Sequence, residues 1–250
     1  MKWGDLKMPE VMPDISIEYD DGYNPTITSP NAEFGLSFYQ TRFTLMDVDV
    51  YKRFLDNAIS RFRHSVTYKK YKGYLMNDLG LDHCQLLSNI SAEDADIELH
   101  HNFMTIFDIA LMITEHTINT TGYISTFDLV QLLKEEHKAN RIPIVMLCKT
   151  AHQMYHNSDG ELIIPAQMCF GYWVELFQRY NKGITKKIAY NVLNYIDHSI
   201  NNTAIDAKTM VSMLELKEDL ESWSGYNNYS DTRKIASIAI PENNQLEVGL

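Results

Sequence analysis

The sequence predicts a mostly helical α+β chain built around a small core whose order is strand, helical insertion, strand, helix. Three observations carry that reading. Ile97-Glu98-Leu99-His100 alternates like a short strand, and Ile142-Pro143-Ile144-Val145-Met146-Leu147 is an apolar run of strand length. Between them, two apolar-periodic stretches each open on a Ser/Thr-x-x-Asp capping box, Thr105 with Asp108 and Ser125 with Asp128, and Gly122 punctuates them. After the second strand, helical spacing dominates as far as Trp223.

Residues 1–35 hold four prolines, Pro9, Pro13, Pro25 and Pro30, and no sustained period, so they read as an extended arm that contacts a partner. Residues 36–90 form a basic helical region. From Asp47 to about Val66, Tyr51, Phe54, Leu55, Ala58, Ile59 and Phe62 recur at helical spacing, with Arg53, Asn57, Arg61 and His64 on the other side. The core occupies 91–165, with its helical insertion at 103–140, and Lys149 to Asn157 reads as a short helix before the turn Asn157-Ser158-Asp159-Gly160. C-terminal helices fill 166–224: Phe170 to Tyr180, a second around Ile188 to Ile196, and Asp206 to Trp223. Residues 225–250 read as a tail with one strand-like piece, Ile235 to Ile240.

Against 33 acidic residues stand 22 basic ones, a net charge of -11, which opposes indiscriminate binding to phosphate backbones unless positive charge is gathered locally. It is gathered between residues 51 and 74, where seven Lys/Arg face the single acid Asp56 and alternate with Tyr68, Tyr71 and Tyr74. Arg61, Arg63, Lys69, Lys70 and Lys72 are the candidates for nucleic-acid contact; the same run also reads as a solvated helix face. Cys84, Cys148 and Cys169 are odd in number and widely spaced, which suggests neither a disulfide framework nor a cysteine-rich zinc knuckle and fits a reducing cytoplasm. No apolar stretch approaches the roughly 18 residues of a spanning helix, so no membrane is expected.

The chemistry lies in the histidines. His152 and His156 are four residues apart on a predicted helix, so their imidazoles project one turn apart from one face and can grip a single cation. His100 and His101 end the first strand. Alone, either pair reads more readily as packing than as ligation, and it is their order along the chain that joins them.

At that point ELHH followed by HQMYH resembles the ββα-metal motif of HNH nucleases, particularly the form found in nuclease colicins, over about residues 96–160. More loosely, residues 80–185 resemble HNH-like proteins of tailed bacteriophages. The resemblance implies that His100, His152 and His156 bind one divalent cation, magnesium, manganese, nickel or zinc, and that His101 is the general base that deprotonates water. A metal would neutralise charge growing on a phosphodiester, and an imidazole with a pKa of about 6.5 is neutral yet basic at physiological pH. For both histidines to reach one site, the strand must end or bend between them. Glu98 is the candidate acceptor that orients a ligand imidazole. The bracing asparagine of the family has Asn140 as its nearest counterpart, slightly early in the chain.

Other histidines read structurally: His116 and His137 end their helices, where an imidazolium favours the negative terminus. Cys148 reads as a small buried apolar residue, and Asp82-His83-Cys84 lacks any nucleophile-elbow signature. The expected function is metal-dependent hydrolysis of DNA by a phage-encoded enzyme in the host cytoplasm. The alternative is a catalytically silent HNH-like phage protein with an assembly role, located in the virion and binding a phage or host protein through its arm.

Overall fold

The computed structural model describes residues 39–158, 162–202 and 205–222. The arm at 1–35, the tail at 225–250 with its strand-like piece, and Asp159 and Gly160 of the anticipated turn lie outside them. The described chain is mostly helical and carries two separate two-stranded antiparallel sheets.

A short strand β1 (Tyr39–Thr41) leads into α1 (Val48–His64), capped by the Asp47 carboxylate, which accepts from the N–H groups of Asp49 and Val50. Helix α1 buries the six apolar residues that its period picks out. The larger of these are each worth about 2 kcal/mol of burial and Ala58 less, and the helix packs against those of the insertion. Ser65 ends α1 and its hydroxyl caps α2 (Val66–Gly73), which continues into a π-helical turn, Tyr74–Asp78.

The core strand β2 (Ile97–His101) is followed by α3 (Ile106–Thr121), β3 (Tyr123–Ser125) and α4 (Thr126–Lys138). Both capping boxes form, with Thr105 and Ser125 each exchanging hydrogen bonds with the aspartate three residues on. Strand β4 (Ile144–Cys148) then pairs antiparallel with β2, placing Ile97 opposite Cys148 and His101 opposite Ile144. The insertion thus folds back as a lobe, and β3 pairs with β1. That second sheet escapes sequence reading because each strand is three residues long and its partner is about 84 residues away.

Every residue of β4 is buried. Its backbone is satisfied on the edge away from β2: Ile144 exchanges two hydrogen bonds with Phe170, and Met146 donates to Gln85 Oε1 and accepts from Gln85 N–H. The strand starts at Ile144, after Pro143, which has no N–H to pair. Immediately after β4 comes α5 (Lys149–Asn157), over the residues its sequence predicts.

The first C-terminal helix, α6 (Trp173–Arg179), starts later than its apolar pattern implies, because Phe170 is engaged with β4. Gly171 follows with φ 115°, and a Cβ there would meet the Ile142 carbonyl oxygen at 2.4 Å, so no other residue fits. A 3-10 turn, Asn181–Gly183, leads to α7 (Lys186–Asn202) and α8 (Ala207–Ser222), which pack against each other.

Candidate metal centre

Because side chains alternate along a strand, β2 presents Glu98 and His100 on the face covered by α5, and Ile97, Leu99 and His101 on the other. Helix α5 lays His152 and His156 across the first face. Rings of His100 and His152 lie 4.9 Å apart, His100 and His156 5.3 Å, and His152 and His156 4.7 Å. Tyr155, on the same helix, sets its ring edge-on to His100 at 4.5 Å. One nitrogen from each of the three histidines lies within 4.8 Å of the other two.

His100 is 6% exposed, and its buried Nε2 has no hydrogen-bond partner among the described residues. An orphaned buried ring nitrogen costs about 1–3 kcal/mol, so its neighbourhood calls for a partner. His152 Nδ1 lies 2.5 Å from Glu98 Oε2; a carboxylate there accepts, which puts the lone pair on Nε2, 3.0 Å from His156 Nε2. Burial, reinforced by the charges of His152 and His156, pushes the pKa of His100 down to about 3. Burial and then His152 lower that of His156 too. Three imidazoles that each bring a ring nitrogen to one point are the donors a divalent ion takes up. The donor set therefore fits such an ion.

His101 is not brought to this group. The ladder with β4 runs regularly through His101, and only the next residue, Asn102, leaves it, donating its N–H to the Pro143 carbonyl. The strand ends one residue too late to turn the two histidines to one side. Instead His101 Nε2 meets His137 Nε2 at 3.2 Å, and burial, followed by the charges of His137 and Arg63, holds its pKa well below the usual range. The ring nitrogen of His101 thus meets His137. Asn140 is buried with φ 54°, and its Oδ1 accepts from the Tyr71 hydroxyl at 3.4 Å.

The model of the bacteriophage G278-like virion protein family matches residues 2–223, nearly the whole chain. The chain belongs to the bacteriophage G278-like virion protein family. No curated protein and no solved structure matches it. Family membership makes this a phage protein and supports the virion as its location, the second of the two locations that the sequence analysis names. Among the described residues, no helix is long and apolar enough to cross a membrane.

The remaining candidates of this virion protein are dispersed. Arg61, Arg63, Lys69 and Lys70 are exposed and Lys72 is half-buried, along the end of α1 and α2. Of these, Arg63 is near enough for its charge to act on the ring of His101. His137 is no imidazolium at a helix end. It is 1% exposed, its Nδ1 donates to the Leu133 carbonyl at 2.7 Å, and burial pushes its pKa down to about 4. His116 lies a turn inside α3, and burial lowers its pKa as well. The three cysteines are free and buried.

His137 is the residue that sequence reading places at a helix end and that the fold places in the core. Its signal was present: it stands four residues after Leu133 and eight after Leu129, on the buried stripe of α4.

Proposed function

We propose that this protein is a structural or assembly component of the virion, in which a ββα scaffold of the HNH type holds one divalent metal ion through His100, His152 and His156. The observation that carries the metal is the buried, unpartnered Nε2 of His100, facing two imidazoles of which one is oriented by Glu98. Family membership supports the virion role. The position of His101 supports a non-catalytic role, since the histidine that the resemblance casts as base lies on the opposite face of β2, against His137. A metal bound by the triad would tie β2 to α5, elements that otherwise meet through the Glu98–His152 contact and the rings around His100.

One observation favours a second reading, metal-dependent hydrolysis of DNA. Arg63 is near enough to His101 for its charge to act on that ring, so a phosphate backbone drawn to the basic run of α1 and α2 would be brought toward that imidazole. In this reading a metal held by His100, His152 and His156 would supply charge neutralisation and His101 would take the proton of the attacking water, which requires β2 to bend at His101 and bring that ring round to the face of the triad.

The test is metal content by mass spectrometry on the purified full chain, thermal unfolding with and without chelator, and cleavage of supercoiled plasmid with magnesium, manganese, nickel or zinc. One metal per chain, with stability lost on chelation and no cutting, is the expected result. Cutting that disappears in His152→Ala selects the second reading. Protein that takes up none of the four metals sinks the metal centre.

A further inference from the structure

His101 and His137 meet nitrogen to nitrogen, Nε2 to Nε2 at 3.2 Å. Such a contact is a hydrogen bond only when one nitrogen carries a proton and the other a lone pair. The backbone decides which is which. His137 Nδ1 lies 2.7 Å from the carbonyl oxygen of Leu133, one turn back on α4. A carbonyl only accepts, so Nδ1 of His137 is the N–H and its Nε2 holds the lone pair. Burial keeps this ring neutral down to about pH 4, which removes the form with two N–H groups. His101 then donates from Nε2, and its own basic lone pair is left on Nδ1.

The surroundings hold this arrangement. The ring of His137 is wedged against Phe62 at 4.5 Å, Tyr71 at 5.4 Å and Tyr68 at 6.2 Å, so it cannot turn without displacing the core of α1 and α2.

We propose that His137 is a positioning residue that fixes the tautomer and orientation of His101, so that His101 presents Nδ1 as its single basic nitrogen. The helical insertion between β2 and β4 would thereby brace the ring of His101, a task for which the resemblance to HNH nucleases offers Asn140 as the nearest counterpart. For the use of that nitrogen as a base the proposal rests on the hydrolytic reading; for its geometry it does not.

The experiment is a long-range proton–nitrogen NMR spectrum of the full chain with ring-labelled histidine at pH 7, its peaks assigned by their loss in His101→Gln and His137→Phe. The expected spectrum shows His101 protonated on Nε2 with an unprotonated Nδ1, and His137 the reverse. Rapid averaging of the two tautomers at His101, or a proton on its Nδ1, overturns the proposal. In His137→Phe, which keeps a ring among the aromatics but removes the acceptor, the His101 nitrogens should move toward the average of both tautomers. An unchanged His101 in that folded variant also overturns it, and if the variant does not fold, the wild-type spectrum decides alone. Plasmid cleavage separates the two ideas. A locked His101 in a protein that never cuts removes the hydrolytic reading and leaves the positioning role standing, whereas averaged tautomers in a protein that cuts do the opposite.

Discussion

Glu98 and His152 face each other across the gap between β2 and α5, carboxylate Oε2 to ring Nδ1 at 2.5 Å, and this contact points the other nitrogen of His152 toward His156. Partners of this kind fix the orientation and raise the basicity of a ligand, and losing one typically costs about 10–100-fold in metal affinity. Glu98→Ala should therefore weaken binding of a divalent ion by that factor, while His152→Ala abolishes it. Titration against a competing chelator measures both.

Lowering the pH should destabilise the fold through His137. In the unfolded chain it takes up a proton near its ordinary value of 6.5, whereas in the folded chain it does so only near 4, so between those values the unfolded state binds more protons. Stability from this group is complete above 6.5, falls as pH drops toward 4 and levels off below. At about 1.4 kcal/mol per pH unit, the loss is on the order of 3 kcal/mol. Urea unfolding at pH 7 and pH 5 should show a steeper fall for wild type than for His137→Phe.

Glu136 is fully buried, and its carboxylate accepts from Arg141 Nε at 2.5 Å, from Arg141 Nη2 at 3.2 Å and from the Tyr180 hydroxyl at 2.8 Å, with Arg179 nearby at 3.3 Å. It ties the end of α4 to α6. Glu136→Ala leaves the guanidinium of Arg141 and the Tyr180 hydroxyl without their acceptor in a confined site, a change that costs about 3–5 kcal/mol in comparable buried pairs. Denaturant unfolding should show a loss of that size, and Glu136→Gln a smaller one.

Gly183 sits where the turn before α7 touches α3. A Cβ at this position would lie 1.8 Å from the Met112 carbonyl oxygen and 2.8 Å from the His116 nitrogen, both rigid backbone atoms of a helix. Gly183→Ala should cost at least the roughly 1–3 kcal/mol of ordinary overpacking, read as a lower thermal midpoint.

Neutralising Arg61, Arg63, Lys69, Lys70 and Lys72 together should leave metal content unchanged, because none of them is among the three histidines of the triad or the Glu98 that orients one of them. Under the hydrolytic reading the same variant loses DNA affinity, and the salt dependence of binding becomes shallower by about 0.9 per lost phosphate contact. Fluorescence anisotropy across a salt series reads the slope.

What the sequence determined by itself is what neighbours along the chain decide. Asp47, Ser65, Thr105 and Ser125 cap the helices they precede, because a cap needs only a side-chain oxygen within reach of N–H groups two or three residues on. The spacing of His152 and His156 places them on one helix face for the same local reason, and the alternation of β2 puts Glu98 beside His100. Whether His101 would join them was decided in three dimensions: β2 keeps its ladder until Asn102 meets the Pro143 carbonyl, a contact made 41 residues away, and by then His101 has turned to the far face. There it finds His137, delivered by an insertion whose course depends on the packing of α1 against α4 and on the three-residue pairing of β1 with β3. Contacts at such separation leave no period in the sequence, since each is set by the burial of whole elements against one another rather than by the residues adjacent to it.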